Sequence, residues 1–453
     1  MNVLVCGSTG CVGAAVVHAL RSRGHHVVEG SREASDTGHS LHLDFMQPRC
    51  PDDWAAALGG LRIDTVVNCV GILMPSRGQC FERVHSEGPI ELFRGAARAG
   101  VRRIVQVSAL GVRGDEATLA TPYLHNKLLA DEALAALPLD WAVLRPSLIY
   151  GPRSQSAALF ATLASLPLIT LPGRGAQQVQ PLHVYELAEA IARLVEHRGE
   201  LREVHELGGP AALSYRGMLA QYRAALGVGD ALWVPLPMPL MRLGARLAEA
   251  LPQQVFCRDT ISLLERGSVP ALNATARLLG RSPTAMPQGL AVTPPEPIVD
   301  LRVSMSPAVS SLARASLAFM WLYTALVSAV LPQQSGVLNL LARCGLDGAA
   351  GIAALVFSCG LNVLLGLATW RRPTPGLYAL QAAAVIGYTV TAAVNMPELT
   401  IDHCGPLAKN LPLLALVVLL WCAVPAREAG RAKRPAAGRA LAAGRPQRAP
   451  AQA

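Results

Sequence analysis

The first 150 residues alternate between short apolar runs and longer runs with helical periodicity. Short apolar runs are typical of buried parallel strands, and the longer runs are typical of helices with one apolar face. This alternation predicts an α/β domain in which a doubly wound parallel sheet carries helices on both faces. The predicted strands are 2–6, 26–30, 40–43, 64–70, 103–108 and 141–145, and the predicted helices are 12–23, 51–59, 79–99 and 123–136.

The pattern changes twice after residue 150. Residues 151–296 are irregular and broken by proline and glycine, which predicts a small C-terminal lobe beside the sheet. Four later stretches approach the ~20 apolar residues needed to span a bilayer, which predicts an all-α four-helix transmembrane bundle. The predicted spans are 312–331, 348–370, 376–396 and 407–424, and the predicted domains are 1–296, a linker at 297–311, the membrane domain 312–425 and a disordered basic tail at 426–453.

The charge distribution predicts the orientation of these spans. Much of the net charge of +9 lies in the tail, which has seven Arg or Lys residues and one Glu. Arg371 and Arg372 make the middle loop basic, whereas the loops 332–347 and 397–406 contain few cations. The positive-inside rule then predicts that the N-terminus, the middle loop and the C-terminus are cytoplasmic. The short stretch before the first predicted strand leaves no room for a signal peptide, which agrees with this orientation.

The same distribution limits the partners. A tail of alanine, glycine, proline and arginine is expected to tether the chain to anionic lipid headgroups rather than to nucleic acid. We therefore expect an integral membrane protein, of the bacterial inner membrane, whose partner is the lipid bilayer. The ten cysteines have no metal-ligand spacing, so no metal site is predicted. Cys344 and Cys404 fall in the predicted outer loops, where they either form a disulfide or remain two free thiols.

A glycine-rich segment follows the first predicted strand and opens the first predicted helix. Glycines at such a turn let the backbone approach a pyrophosphate, and the helix N-terminus supplies unpaired N–H groups and a positive dipole end. The segment therefore predicts a dinucleotide site. Its predicted cofactor-binding residues are Gly7, Ser8, Thr9, Gly10, Cys11, Val12 and Gly13.

The end of the second predicted strand bears on the choice of dinucleotide. Ser31 and Arg32 stand where an NAD site usually has an acidic residue, and they suit a 2′-phosphate. We therefore expect NADP(H) in preference to NAD(H). The alternative is that Arg32 is an ordinary loop residue and Glu29 binds the ribose. Asp44 is either a neighbour of the adenine or a helix N-cap.

Four further motifs make the chain resemble the short-chain dehydrogenase/reductase superfamily, in its extended or atypical branch. They are Val67-Asn68-Cys-Val70-Gly71, Val105-Gln-Val-Ser108, Tyr123-Leu-His-Asn-Lys127 and Leu144-Arg-Pro146-Ser-Leu-Ile-Tyr150-Gly-Pro152. The resemblance implies a Rossmann-type fold with Ser108, Tyr123 and Lys127 as catalytic residues. It also implies that Asn68, Val70, Gly71, Lys127 and Pro146 contact the cofactor.

Two other resemblances extend this interpretation. The segments 180–190 and 204–210 resemble the 39 kDa accessory subunit of respiratory complex I and its bacterial relatives, and residues 311–426 resemble the DoxX-like membrane family. They imply a quinone or other lipophilic molecule, or a respiratory complex, as candidate partners. In the complex I subunit the nucleotide is generally regarded as structural, so cofactor binding need not imply turnover.

The Tyr123–Lys127 spacing carries the predicted chemistry. Lysine occurs only at 127, 409 and 433, so this spacing is unlikely by chance. Positions i and i+4 of a helix share one face, and an ammonium beside a phenol lowers the pKa of the phenol. The first hypothesis is a membrane-anchored NADP(H)-dependent oxidoreductase that acts on a carbonyl, hydroxyl or quinone-like lipophilic substrate. The alternatives are a non-catalytic NADPH-binding structural or assembly protein, and a membrane domain that carries the activity while the Rossmann domain senses redox state.

Overall fold

A computed structural model describes residues 1–33, 39–75, 78–248, 258–297, 307–334, 336–371, 373–401 and 407–423. The predicted tail, most of the predicted linker and Cys404 lie outside these ranges. The strands are β1 Asn2–Cys6, β2 His26–Ser31, β3 Ser40–His42, β4 Thr65–Asn68, β5 Arg103–Val107, β6 Asp140–Pro146, β7 Ile149–Tyr150, β8 Leu168–Pro172, β9 Gln178–Val179, β10 Leu182–His183, β11 Arg202–Leu207, β12 Leu213–Ser214 and β13 Leu232–Leu236. The helices of the N-terminal part are α1 Cys11–Ser22, α2 Pro51–Gly60, α3 Gly88–Arg98, α4 Glu116–Leu119, α5 Pro122–Ala135, α6 Gln155–Ser165, α7 Val184–Glu196, α8 Tyr215–Leu226, α9 Met238–Ala248, α10 Arg258–Arg266, α11 Thr275–Leu279 and α12 Met286–Val292.

The central sheet has seven parallel strands in the order β11-β6-β5-β4-β1-β2-β3. This is the doubly wound order of a Rossmann domain with one strand added at the β6 edge. The prediction of a parallel Rossmann-type sheet is confirmed, and its six predicted strands correspond to β1–β6. The seventh strand, β11, was not predicted, because it lies in the segment where the alternation of strands and helices is irregular.

The side chains of alternate strand residues pack into two separate cores, as expected for a sheet covered on both faces. Val3 and Val5 of β1 pack with the buried faces of α1 and α7. Leu4 and Cys6 face the other way and pack with α2, α3 and α5. The predicted helix 79–99 begins with a π-helical segment, Glu82–Glu87, before α3 continues it. The sheet thus holds the ends of β1, β4 and β5 side by side at its carboxyl edge.

A smaller lobe follows the sheet, as its irregular pattern predicts. Its own core joins α6, α8 and α12 to β8, and it includes Tyr150, Tyr215 and Tyr222. β13 pairs in parallel with β8, and α9 packs on α10 through a small cluster of Met241, Ala245 and Ile261. The lobe therefore builds a second wall in front of the carboxyl edge of the sheet.

The C-terminal part is helical and apolar. Its helices are α13 Pro307–Val330, α14 Val337–Arg343, α15 Gly348–Arg371, α16 Pro375–Asn395, α17 Glu398–Ile401 and α18 Asn410–Cys422. Within the described residues, three of them (α13, α15 and α16) are long and apolar enough to cross a membrane. The fourth predicted span differs from expectation: α18 has 13 residues, which at ~1.5 Å per residue is shorter than a hydrocarbon core of about 30 Å. The membrane-type helical architecture is confirmed, with three candidate spans among the residues that the structure describes.

Polar side chains link these helices. The Gln381 side-chain amide donates to the Thr369 hydroxyl (2.5 Å), and the Asn410 amide donates to the Thr389 hydroxyl (2.7 Å). At the far ends, Arg343 forms an ion pair with Glu398 (2.7 Å). This ion pair joins the two predicted outer loops. Both alternatives for Cys344 and Cys404, a disulfide or two free thiols, stay predictions because Cys404 is outside the described residues.

Candidate functional site

The glycine segment forms a tight turn between β1 and α1. Gly7 has φ +74°, and a Cβ on it would lie 3.2 Å from the Val70 backbone nitrogen. A Cβ on Gly13 would lie 2.0 Å from the Gly7 carbonyl oxygen, so α1 packs directly on the turn. Gly10 is the N-cap of α1 and brings no capping side chain. The first N–H groups of α1 are therefore left for an anion, which is the arrangement that suits a pyrophosphate.

This turn opens into a cavity of about 1160 Å³ between the sheet and the lobe. Pockets for one small molecule usually measure about 300–1,000 Å³, so this cavity has room for a dinucleotide together with a second molecule. The predicted site residues that line it are Gly7, Thr9, Gly10, Cys11, Val12, Ser31, Arg32, Asp44, Val70, Gly71, Ser108, Tyr123, Lys127 and Pro146. One cavity thus brings together the predicted cofactor loop and all three predicted catalytic residues.

Three predicted cofactor-binding residues act behind the cavity wall instead. Ser8 is buried, and its hydroxyl donates to the Gly30 carbonyl (3.4 Å). Gly13 supplies the close approach of α1 to the turn. The Asn68 side-chain amide donates to Gln106 (2.8 Å), and its oxygen accepts from the Val70 N–H (3.2 Å). These residues shape the loops that face the cavity.

The structure distinguishes between Arg32 and Glu29, the two residues near the end of β2 that could bind the ribose part of the coenzyme. Arg32 is exposed and lines the cavity, whereas Glu29 forms an ion pair with Arg21 (2.7 Å) and is not among the lining residues. Ser31 is buried, and its hydroxyl donates to the Glu33 carbonyl (2.5 Å). Asp44 lines the same part of the cavity and accepts a hydrogen bond from the Met46 N–H (3.0 Å). Of the two residues near the end of β2, Arg32 lines the cavity and Glu29 does not.

Tyr123 and Lys127 lie one turn apart on α5 and both line the cavity. Lys127 is 3% exposed, and its ammonium donates to the Val107 carbonyl (3.0 Å) and, at 3.5 Å, to that of Val70. Burial lowers the pKa of Lys127 to about 8, although Asp131 and Cys69 act in the opposite direction. Burial raises the pKa of Tyr123 to about 12. The expected lowering of the phenol pKa by the ammonium is therefore not seen in this geometry, and Tyr123 is a protonated phenol at neutral pH.

Ser108 belongs to a buried charged network that sequence reasoning missed. Its hydroxyl donates to Asp131 Oδ2 (2.8 Å), and Arg145 donates to the same oxygen from Nη2 (3.0 Å) and Nε (3.3 Å). Asp131 is 4% exposed, and its Oδ1 makes no hydrogen bond among the described residues. Asp131 stands four residues after Lys127, so both charges share one face of α5. In the sequence, this network is indicated only by the four-residue spacing of Lys127 and Asp131 and by Arg145 of the Leu144-Arg-Pro146 motif.

The ring of His85 packs against Tyr123. The His85 ring lies edge-on to the Tyr123 ring, with centroids 5.2 Å apart, and its Nε2 contacts the Ile72 carbonyl (2.9 Å). Burial and the nearby Lys127 ammonium hold the pKa of His85 well below its usual range, so the ring is neutral. Arg153 lines the cavity with φ +62°, an uncommon conformation for a non-glycine residue.

The far part of the cavity is mainly apolar. The charged residues among its described lining are Arg32, Asp44, Lys127 and Arg153, and the first three belong to the loops and helix around the coenzyme end. The lobe contributes mostly aliphatic and aromatic side chains. They include Leu148, Leu159, Phe160, Leu163, Leu236, Leu240, Met241, Ile261 and Leu264.

Comparison with known families agrees with this geometry. Residues 3–208 match the NAD dependent epimerase/dehydratase family, and residues 318–418 match the DoxX-like family. The chain joins an epimerase-type Rossmann domain to a DoxX-like domain. The family match supports a nicotinamide cofactor and an NAD(P)-dependent oxidoreductase-type enzyme. The DoxX-like domain and its three candidate spans indicate a membrane protein.

Individual relatives match the Rossmann domain. A 3-diazoavenalumate denitrifying reductase of a Streptomyces species is 29% identical over 278 residues, which cover 54% of this chain and 88% of the reductase. An uncharacterized protein of Mycobacterium tuberculosis is 26% identical, and the match covers 60% of this chain but only 29% of that protein. The 40 kDa subunit of the Neurospora crassa NADH-ubiquinone oxidoreductase is 22% identical over 46% of this chain and 55% of its own length. The predicted resemblance to this complex I subunit is thereby confirmed.

Among solved structures, MoeE5 in complex with UDP-glucose and NAD has a TM-score of 0.49 and 21% sequence identity. It covers 65% of this chain and 97% of its own.

Proposed function

We propose that the protein is a membrane-anchored, NADP(H)-dependent oxidoreductase that acts on a carbonyl, hydroxyl or quinone-like group of a lipophilic substrate. The observation that carries the proposal is the single cavity, in which the glycine turn faces Ser108, Tyr123 and Lys127. In an oxidoreductase of this type, a cofactor site and a proton-transfer group must meet at one point.

The lining supports the coenzyme assignment in two places. The uncapped N-terminus of α1 at Gly10 suits the pyrophosphate, and the exposed Arg32 suits a 2′-phosphate. Glu29, the competing ribose ligand, is already engaged by Arg21. Asp44 would then lie beside the adenine. We therefore propose NADP(H) in preference to NAD(H).

The protein groups have separate roles in the proposed reaction. A bound nicotinamide supplies or accepts the hydride. Tyr123 transfers the proton to or from the substrate oxygen. Ser108 lies within the same lining, and it would hold that oxygen by turning its hydroxyl proton from Asp131 toward it. Lys127 contributes a positive charge on the face of α5 that Tyr123 occupies, and the neutral His85 ring fixes the edge of the phenol.

The pKa values favour one direction of reaction. Because burial raises the pKa of Tyr123 to about 12, the phenol carries its proton at neutral pH. A protonated phenol is ready to donate to a carbonyl or quinone oxygen that receives a hydride. We infer that the reduction of substrate by NADPH is the faster direction near pH 7.

Tyr123→Phe tests the proposal. With a panel of quinones and lipophilic aldehydes or ketones, we expect substrate-dependent oxidation of NADPH by the reconstituted wild-type protein. Removal of a positioned acid typically costs about 10²–10⁴-fold, so Tyr123→Phe should lower kcat by that amount while NADPH affinity changes little. Tyr185→Phe, at a tyrosine that is 46% exposed and does not line the cavity, is the matched control. Unchanged turnover in Tyr123→Phe would contradict the assignment.

A second candidate function is a non-catalytic NADPH-binding protein that docks on a respiratory complex. The observation that favours it is that the side chains of Ser108 and Lys127 are hydrogen-bonded to other groups of the protein. Ser108 donates to Asp131, and Lys127 donates to two backbone carbonyls. Similarity to complex I subunits supports the same alternative. NADPH that copurifies with the protein but is not consumed with any member of the panel would favour this function.

A further inference from the structure

Helix α9 presents two different faces. Met241 and Ala245 are buried against Ile261 of α10. Leu240 and Leu243, three residues apart and hence on a common face, are each 51% exposed. An apolar side chain that is half exposed is unremarkable alone, but two on one face of a short helix form a surface that water does not favour.

Leu240 also lines the cavity. Leu243, which is equally exposed and is not among the lining residues, faces outward beside it. Leu236, Met241 and Leu264 line the same cavity, and Leu236 and Met241 belong to the apolar cluster between α9 and α10. Among the described lining residues, those that β13, α9 and α10 contribute carry no charge, and Arg153 is the charged residue that the lobe contributes.

The charges on α9 indicate which surface covers it. Arg242 and Arg246 are exposed beside the two leucines. Arg242 is held in place by a two-pronged ion pair with Glu265 of α10 (2.9 and 3.0 Å). Exposed leucines flanked by arginines on one amphipathic helix are typical of a helix that lies at an anionic lipid surface. The candidate spans of the same chain, which start at Ala308, keep a bilayer next to the domain.

We propose that α9 rests in the interfacial layer of the bilayer and that the cavity opens there, through Leu240, to a substrate with a long apolar chain. The chain of the substrate would lie along the lobe wall while its reducible group reaches Tyr123. The identity of the reacting group rests on the proposed oxidoreductase function, but the position of α9 does not. Among the described lining residues the lobe contributes one cation, Arg153, whereas the phosphates of a sugar nucleotide would need several.

The position of α9 is tested by photocrosslinking in the full-length protein. A benzophenone amino acid is placed at Leu243, and the protein is reconstituted in vesicles of phosphatidylcholine and phosphatidylglycerol that carry a clickable acyl chain. The matched control has the same amino acid at Val204, which is 45% exposed on the edge strand β11, an element that does not line the cavity. We expect lipid adducts at 243 at least five times as frequent as at 204. Equal labelling at the two positions, or none at 243, would overturn the proposal.

The apolar chain is tested with two quinones that share one ring and differ in tail length, ubiquinone-1 and decylubiquinone. At equal measured contents in the vesicles, we expect kcat/KM for NADPH oxidation to be at least tenfold higher with the longer tail. Equal values would remove the chain-binding role of the lobe. If neither quinone is reduced but position 243 still labels lipid, the oxidoreductase assignment with quinones fails and the placement of α9 stands.

Discussion

The Ser108 hydroxyl donates to Asp131 Oδ2 at 2.8 Å, and Arg145 shares that oxygen at 3.0 Å. The carboxylate is 4% exposed. Its charge therefore depends on Arg145 and not on water, since an unpaired buried charge is costly. A charged residue behind the cavity thus orients the Ser108 hydroxyl, which would turn to the substrate oxygen in the proposed reaction.

Asp131→Asn should destabilise the Rossmann domain. The substitution keeps the size of the side chain but leaves Arg145, whose side chain is 16% exposed, without its ion pair. Removal of one partner of a buried pair costs about 3 kcal/mol or more. Hydrogen exchange of β5 and α5 peptides in the full-length protein should show faster opening. Glu132→Gln, at the exposed neighbour on the same helix, is the control. Equal protection in both variants would mean that the pair contributes little to stability.

The pH dependence of NADPH binding should follow Lys127. Its pKa is lowered to about 8 by burial, so the ammonium is present below that pH and lost above it. Because a cation attracts the phosphates of the coenzyme, affinity should fall as pH rises through this value, and bound NADPH itself should move the fall to somewhat higher pH. Fluorescence titration with NADPH from pH 6.5 to 9.5 measures this change in affinity. In Lys127→Met the fall should be absent.

Asp131→Asn should shift the fall of NADPH affinity with rising pH to a lower pH. The carboxylate of Asp131 raises the pKa of Lys127, as does Cys69, while burial lowers it. Without the carboxylate the ammonium should lose its proton at a lower pH, so NADPH affinity should fall earlier than in the wild type. The neutral His85 ring also faces Lys127 and is present in both proteins. If the pH of this fall is the same in both proteins, Asp131 does not set the pKa of Lys127.

The sequence predicts the sheet well because its signals are local. Buried parallel strands read as continuous apolar runs, and β1–β6 follow from them. β11 joins the sheet through pairing with β6, more than 50 residues earlier in the chain, and no local pattern reports such a contact. The length of α18 is missed for a related reason, because an apolar run shows where a span could lie but not where the helix begins.

In the site, too, the sequence predicts features that depend on local spacing and does not predict those that depend on contacts between distant elements. Spacing predicts Tyr123 and Lys127, since a helix brings i and i+4 together. It does not predict the pKa of the phenol, which depends on the burial that Phe81 and His85 supply from another element. Arg32 follows from its place after a strand, whereas the engagement of Glu29 by Arg21 becomes visible only when α1 packs beside β2.

Arg32→Ala should change the coenzyme preference. A charge-assisted contact to a 2′-phosphate contributes about 1.5–3 kcal/mol, which corresponds to a loss of about ten- to a hundredfold in NADPH affinity. NADH affinity should stay within about twofold, because NADH has no 2′-phosphate. Isothermal titration of both coenzymes measures the ratio, and Arg198→Ala, at an exposed residue outside the cavity lining, is the control. An equal loss for both coenzymes would point to a general role of Arg32 and against NADP selection.

Gly13→Ala should abolish the dinucleotide site. The added Cβ would lie 2.0 Å from the Gly7 carbonyl oxygen and 3.0 Å from the Ser8 Cα, both of which are backbone atoms that cannot rotate away. Either α1 moves outward or the turn opens, and both changes remove the N–H groups from the pyrophosphate. Gly59→Ala offers a matched comparison, because Gly59 lies in α2 with nothing within 4 Å of its added Cβ and should gain about 0.5–1 kcal/mol of helix stability. NADPH titration with hydrogen exchange of α1 should show lost binding and faster exchange for Gly13→Ala alone. Retained NADPH affinity in Gly13→Ala would contradict the close packing of α1 on the turn as the basis of the site.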